Sequence, residues 1–387
     1  MNTVMAHESF TERITLEAAW AWIDAAPARW AVEEATLAAA LGRVLAEPVA
    51  FAADRPAFDL AFVDGYALQA RETLGASAYN PLSLPLAPSS AAAATPFAAA
   101  CCAGAPLPPG TDAVLPIHAV EASAGQLEVG EPAPRGAGVA RRGETARRGE
   151  TALPAGRRLG TVQIALAASA GAKTVKVAAR PEVALWLAGA KPPSVEAVAT
   201  ALSALVARDG GIARCSIGGA LDGHADALVI VGRSGWGDDD DSVLRLQAAG
   251  GRLDHHGVAF SPGGSTGFGW LGANPAVLVP GDPYAALASY EVFVGRLVRR
   301  LAGRPAPFAG PARRCRLAGK IASPVGVAEF APVAIDGGSA TPIAITPSDG
   351  LVGLARADGF TLVPAGLEGF AEGAEVEVVT LDGGEAT

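Results

Sequence analysis

The sequence predicts an α/β multidomain chain, and three observations predict it. From Arg180 onward, continuous apolar runs alternate with helical patterns, as in an open sheet with helices on its faces. Residues 43–180 instead hold short β-type runs broken by Gly and Pro, which indicates a β-rich lobe. After the proline-rich GRPAPFAGPARR (303–314), short strands resume without a clear helix, as in a small β-barrel. At 387 residues the chain is too long for one ordinary core, and module boundaries fall near 180 and 307.

Taken in order, residues 11–42 read as helices. Thr15 can cap LEAAWAWIDAA, and TLAAALGRV follows with apolar residues at helical spacing. In the lobe, AVLPIHAVEA (113–122) and QLEVGEPAP (126–134) are strand-like. ARRGET occurs at 140–145 and again at 146–151, which is too short for a structural repeat and reads as a basic, exposed loop. Its four arginines could also meet a phosphate. PEVALWLA is then a buried strand; Ser194 caps VEAVATALSALVARD, which Gly210-Gly211 ends; DALVIVG is a second buried strand. Asp241 leads the helix SVLRLQAAGG, while RLDHHGVAF, FGWLG and AVLVPG are strands. Pro283 starts the long helix YAALASYEVFVGRLVRRLAG. The tail strands are LAGKIAS, FAPVAID, ATPIAIT, FTLVPA and AEVEVVTL.

Half of the residues are hydrophobic, much of that alanine, and only 6% are aromatic, so small side chains should pack the cores. A formal net charge of −9 and a pI near 5.2 argue against a general nucleic-acid or anionic-membrane binder. They leave room for an anionic small ligand in a local site. The segment MNTVMAHESFTER has early charges and no apolar core, unlike a secretory signal. No run reaches the ~18 to 20 apolar residues that span a bilayer. The expectation is a soluble, cytoplasmic protein. Cys101, Cys102, Cys215 and Cys315 form no C-x-x-C and no zinc or disulfide spacing, and they read as buried free thiols.

The stretch most suggestive of chemistry is Val63-Asp64-Gly65-Tyr66-Ala67. Asp64 stands where a strand-like segment turns, and Gly65 permits a backbone geometry or close approach denied to other residues. The pair can present a carboxylate to a cleft, although the same triplet also makes an ordinary tight turn. In GRSGWGDDDD (232–241), Gly232, Ser234, Gly235 and Gly237 follow a buried strand and precede a helix. Backbone N–H groups there favour an anion such as phosphate, or the loop simply turns the chain. Asp238 to Asp241 could hold Mg²⁺ through oxygen ligands, or stabilise and cap the helix start. Pro280, Gly281, Asp282 and Pro283 form a rigid turn that starts a helix and could wall a pocket beside that loop. SPGGST (261–266) is a turn without charge. His255 and His256 face opposite sides of a strand, which disfavours a joint metal site. No Ser-His-Asp or Cys-His arrangement is legible from spacing.

Several motifs are collinear with one family. VDGYA (63–67) looks like its M-D-G-Y-A, and GAPLPPGTDAVLP (104–116) like T-G-A-P-L-P-x-G-A-D-A-V-V. RRGET (141–145) and LPAGRRL (153–159) resemble R-R-G-E-D and L-P-A-G-T-x-L. VPGDP (279–283) stands for L-P-G-N-P, and SDGLVGLARADG (348–359) for S-x-x-L-x-x-L-A-x-A-N-G. Over nearly its whole length the chain thus resembles the molybdopterin molybdotransferase family, the MoeA proteins and the gephyrin E-domain. The resemblance implies an N-terminal linking domain with an inserted β lobe (1–179), a molybdopterin-binding-like α/β/α domain (180–306) and a C-terminal β-barrel (307–387). It also implies an elongated homodimer, Mg²⁺, and a reaction that hydrolyses adenylylated molybdopterin and installs molybdate.

The same resemblance marks Asp64 and Asp240 as catalytic and metal positions, and the loop 232–237 and Pro280–Pro283 as cofactor-binding. Departures are concentrated there. G-G-V-S-x-G reads G-R-S-G-W-G, placing Arg233 and Trp236 where the family has small or aliphatic residues. T-G-D-E has become Ala188 to Lys191, and the segment bearing the family's D-S-N element is shortened. Ser261 and Gly264 replace both lysines of K-P-G-K-P; Thr145 ends R-R-G-E-D, and Ala103 replaces the threonine before G-A-P-L-P. Phosphoanhydride cleavage needs carboxylates for the ion and cations for phosphates. The expectation is a molybdenum-cofactor biosynthesis or maturation protein, binding molybdopterin, its adenylylated form or a partner, with weakened or absent catalysis. An active molybdotransferase using Asp64 and Asp240 is the alternative. A non-catalytic scaffold for a molybdoenzyme or another molybdenum-cofactor protein is the third reading.

Overall fold

The computed structural model describes residues 13–27, 31–88, 96–189, 194–304, 307–345 and 350–381. The chain divides into two compact units. One comprises Glu34–Leu41 and Glu47–Val175, the other Met1–Glu33, Gly42–Ala46 and Lys176–Thr387.

Helix α1 (Leu16–Ala25) forms as its pattern predicts, with the Thr15 hydroxyl accepting the Ala18 N–H at 3.2 Å. That cap satisfies one of the donors a helix start leaves free. Leu16, Ala19 and Ile23 lie buried along one face. The second expected helix does not form. TLAAALGRV supplies the end of strand Val32–Thr36 and then turns. Ala40 N–H reaches Thr36 O at 2.9 Å, but Gly42 at φ +77° leads the chain out of helical geometry. Leu45 then makes a β-bridge with Val177, so tertiary pairing overrides the local helical pattern.

The smaller unit is the β-rich lobe its Gly/Pro punctuation suggests. Strand β1 (Gly65–Leu68) lies between β2 (Ala98–Cys101) and β3 (Ala113–Pro116), antiparallel to both. A second three-stranded sheet orders Leu82–Pro85, Gln126–Val129 and Glu121–Ser123. Their shared core is built of Leu68, Leu84, Leu127, Val129 and alanines. The two ARRGET copies, too short on sequence grounds to repeat a structure, in fact adopt the same turn. Glu144 Oε2 accepts the Arg141 N–H at 2.8 Å, and Glu150 Oε2 accepts the Arg147 N–H at 3.0 Å. Gly143 and Gly149 both carry positive φ, and Asp59 and Asp54 accept the N–H of Arg142 and Arg148. The carboxylates on these turns partly neutralise the four arginines; Arg142 also pairs with Asp54 at 2.7 Å.

The larger unit carries the open sheet. Strands β4 (Glu182–Leu187), β5 (Ile212–Ile217), β6 (Ala227–Val231), β7 (Arg252–His256), β8 (Gly267–Leu271) and β9 (Asn274–Val279) are arranged β5-β4-β6-β9-β8-β7. The first four are parallel and the last two antiparallel. Alternate residues of each buried strand face two cores. Val183, Leu185, Val229 and Val277 pack with α1, with α2 (Ser194–Arg208) and with the long helix after Pro283. Ala184, Trp186, Leu228 and Ile230 pack with Leu246 of the short α3 (Ser242–Ala248). Continuous burial on both faces explains the unbroken apolar runs.

The long helix is α4 (Pro283–Ser289), a π-turn (Tyr290–Val294) and α5 (Gly295–Leu301) in succession. Around it lies a buried ionic cluster. Arg208 Nη1 and Nη2 meet Glu291 Oε1 and Oε2 at 2.7 and 2.9 Å, and Asp209 Oδ2 lies 3.2 Å from Nη2. Arg299 Nη1 pairs with Asp209 Oδ1 at 3.0 Å, and Tyr290 OH donates to Asp209 Oδ2 at 3.1 Å. A Cβ on Gly295 would stand 2.8 Å from both Arg299 Nη1 and Asp209 Oδ2, so only glycine leaves room for the cluster. Burial lowers the Arg208 guanidinium, but Glu291 and Asp209 outweigh it and hold it charged. Burial pushes the Glu291 carboxyl up, against the hydrogen bonds from Arg208.

Asp254 fastens α1 to the sheet. Its Oδ2 accepts the indole N–H groups of Trp22 (2.9 Å) and Trp270 (2.7 Å). Burial raises its pKa, but these bonds and Arg252 outweigh burial, so the carboxyl sits below its ordinary range. A depressed carboxylate pKa contributes stability present above the unfolded value and lost as pH falls through the folded one. Asp254→Asn is therefore expected to lower stability at pH 7 by about 1.5–3 kcal/mol, the range for hydrogen bonds to a charged group. Its denaturation midpoint should converge with that of the parent as pH drops below about 4, the ordinary carboxylate value.

Beyond it, β10 (Ala312–Leu317), β11 (Ala328–Asp336), β12 (Ser339–Pro342), β13 (Gly359–Val363) and β14 (Glu375–Thr380) close on themselves in the order β11-β12-β10-β14-β13-β11. This is the C-terminal β-barrel. It also holds a five-residue helix, Gly350–Leu354, that the strand-only expectation for the tail missed.

Candidate functional site

Asp64 is placed by its neighbour. A Cβ on Gly65 would fall 1.9 Å from Leu115 O, so β1 and β3 pair in this register only with glycine there. This is the close-approach role anticipated for Gly65. Asp64 Oδ1 accepts the Ala103 N–H at 2.8 Å, joining VDGYA to the turn that opens GAPLP. Gly104, at φ +82°, donates to Ala61 O at 2.8 Å from the same turn. Together they wall an open cleft of 940 Å³ lined by Asp64, Tyr66, Cys101, Cys102, Pro106, Ile117 and their neighbours. The cysteines correct the expectation of buried thiols. Cys102 and Cys215 are exposed, Cys101 is half-buried, and only Cys315 lies buried. Nothing in cysteine spacing indicated that two of them border Asp64.

The loop 232–241 leaves β6 as expected, and its hydrogen bonds are largely internal. Asp240 Oδ2 accepts the Gly237 N–H at 2.8 Å, and a Cβ on Gly235 would lie 2.5 Å from that same oxygen. Asp241 does not cap α3 with its side chain, as the acidic run suggested it could. Its Oδ2 instead meets Arg245 Nε at 2.8 Å and Arg233 Nη1 at 3.2 Å. The Arg245 hydrogen bond holds that carboxyl below its ordinary range. Asp238 and Asp239 are exposed. Ser234 is buried; its hydroxyl lies 3.1 Å from that of Ser265, so SPGGST does reach this loop. His256 Nε2 donates to Ser234 O at 2.7 Å, while His255 is half-buried on the same strand.

PGDP lies against the loop. A Cβ on Gly281 would stand 3.0 Å from Gly232 Cα, and Gly232 N–H donates to Val279 O at 2.9 Å. Asp282 caps α4 through Ala285 N–H at 2.9 Å, with Pro283 at its first position and Pro280 half-buried before it. Ala188, at the end of β4, is buried beside Gly232; Lys191 lies outside the described residues.

One residue that sequence reasoning missed, Arg13, meets this loop. Trp236 packs against His256 with ring centroids 5.3 Å apart, and the Arg13 guanidinium lies 5.4 Å over its ring. Arg13 also stands 3.8 Å from where a side chain on Gly264 would begin. A cation thus reaches the neutral SPGG turn from a remote part of the chain, which spacing could not reveal. Arg233 adopts φ +54°, the left-handed region. A non-glycine residue there costs about 1–2 kcal/mol. Arg233→Gly should therefore be more stable than Arg233→Ala by about 1 kcal/mol in denaturant titration, reversing the usual order of those residues.

The donors do not by themselves fit Mg²⁺, which takes about six oxygens in octahedral geometry. Among the described residues no three His, Cys, Asp or Glu side chains gather round a common point. The candidate carboxylates, Asp64 and Asp240, each already accept a backbone N–H.

Two family models match this chain: the MoeA N-terminal region (domains I and II) over residues 14–171, and the MoeA C-terminal region (domain IV) over residues 314–381. The fold matches the crystal structure of a molybdopterin biosynthesis MoeA protein from Pyrococcus horikoshii with a TM-score of 0.80. Identity is 29%, over 95% of this chain and 99% of that one. This protein belongs to the MoeA family. A curated relative, molybdopterin molybdenumtransferase 2 of Mycobacterium tuberculosis, is 29% identical over 378 residues, 88% of this MoeA-family chain and 93% of the relative. A putative molybdopterin biosynthesis protein of Methanocaldococcus jannaschii is 26% identical over 383 residues, 90% and 92% respectively. The N-terminal MoeA model spans the Asp64 cleft, and the C-terminal one spans most of the barrel. No helix among the described residues is long and apolar enough to cross a membrane.

Proposed function

We propose that this MoeA-family protein serves molybdenum-cofactor biosynthesis in the cytoplasm, binding molybdopterin or its adenylylated form with weakened or absent molybdate transfer. Relatives named for molybdopterin chemistry support the pathway. One observation carries the catalytic part: the acids of loop 232–241 that have partners are engaged within the loop and its helix, Asp240 by Gly237 N–H and Asp241 by two arginines. The SPGG turn contributes no cation of its own. At this loop the N–H groups of Gly232 and Gly237 already donate to Val279 O and Asp240 Oδ2, so Arg13, beside Trp236, is the group that favours an anion there. Asp64, oriented by Ala103 N–H, supplies the carboxylate of its own cleft. We further read a homodimer with domains at 1–179, 180–306 and 307–387.

The test pairs binding with turnover. Calorimetry with purified molybdopterin should give saturable binding, and product formation from adenylylated molybdopterin, molybdate and Mg²⁺ should be far slower than for the Mycobacterium tuberculosis relative assayed alongside. Equal turnover would establish the rival reading, an active molybdotransferase. No pterin binding, together with capture of a molybdoenzyme subunit, would establish a protein-binding scaffold. Light scattering reads the dimer.

A further inference from the structure

We propose that Cys101 and Cys102 form a dithiol seat in the Asp64 cleft for a thiophilic, low-coordinate metal or metalloid centre, of which a trivalent arsenical is the probe. Both thiols line that 940 Å³ cleft. In a continuing strand, adjacent side chains face opposite sides. Here β2 stops at Cys101, and the chain turns at once: Ala105 N–H donates to Cys102 O at 3.0 Å and Gly104 takes φ +82°. The turn brings both sulfur-bearing residues to one cavity. Cys101 is held from behind, its Sγ 3.6 Å from Gly65 O, while Cys102 is exposed on the same cleft.

The surroundings select the chemistry. Ala105, Pro106, Leu107, Pro108 and Ile117 make the rest of the wall mostly apolar. Among the described residues no three potential ligands gather, so the pair suits neither tetrahedral zinc nor a hard cation. Two adjacent thiols suit a soft centre that needs few ligands. Burial pushes the Cys101 thiol up, so it rests protonated and the ligand must displace that proton. With phenylarsine oxide the balance closes without electron transfer. Two S–H bonds break, two As–S bonds form, and both protons leave with the arsenic-bound oxygen as water.

This site does not depend on the molybdenum reading, because no pterin takes part. Full-length protein titrated with phenylarsine oxide should bind one equivalent and lose two of its four thiols to a thiol-counting reagent. Mass spectrometry should show a single added phenylarsenic. Cys102→Ser, at an exposed position, and Cys101→Ser should each weaken binding by about 10²-fold or more, the usual advantage of two linked contacts over one. A Cys215→Ser/Cys315→Ser variant should bind as the parent does. Undiminished one-to-one binding by folded Cys102→Ser, or no binding by the parent, would overturn the proposal.

Discussion

Arg208→Met is expected to cost about 3–5 kcal/mol of stability, the range for removing one partner of a buried ion pair. The reason lies in what remains. Glu291 is 6% exposed and receives two hydrogen bonds from Arg208. Without them its carboxylate stays buried and uncompensated at neutral pH. Asp209 would keep Arg299 and Tyr290. The pH dependence separates this mechanism from lost packing. Burial already raises the Glu291 pKa, and removing its cation raises it further. A raised carboxyl pKa gives stability that is present below the unfolded value and lost as pH rises through the folded one. The deficit of Arg208→Met, read by urea denaturation, should therefore grow from pH 5 to pH 7. Arg208→Met combined with Glu291→Met should recover most of it, because replacing both members of a buried pair with apolar groups is often near neutral.

Asp64→Asn should change residual molybdate transfer by less than about tenfold, whereas in an intact site one such group is worth about 10²–10³ in rate. Catalytic groups that act as a unit lose their effect together, so removing one after its partners have gone costs little. In this chain Ala190 and Lys191 stand at the carboxylate positions of the T-G-D-E element, and Ser261 and Gly264 are neutral. A loss of several hundredfold in Asp64→Asn, from a parent that turns over well, would instead establish an active molybdotransferase that uses Asp64. The readout is single-turnover formation of molybdate-loaded cofactor, with pterin binding measured on the same sample to separate affinity from chemistry.

The fold was largely legible, for reasons tied to particular segments. ALVIV at 227–231 is buried on both faces of a parallel sheet, so its apolar run has no polar interruptions. Thr15 and Pro283 announce helix starts because capping and a fixed φ are local chemistry. TLAAALGRV failed because its helical pattern yielded to pairing with residues distant in sequence. The duplicated ARRGET turn was under-read because its meaning lies in Asp54 and Asp59, more than eighty residues from the arginine N–H groups they accept.

The candidate site divides in the same way. Sequence alone determined the α/β architecture with its β-barrel, the collinear motifs of the MoeA family, and Asp64, the glycine loop and PGDP as places of interest, because each is written in neighbouring residues. Only the tertiary structure decided what those groups meet. It brought Arg13 over Trp236 and set two cysteines beside Asp64. Hydrogen bonds and cation–π contacts act over a few ångströms, and the folded backbone sets those distances between residues the sequence keeps far apart.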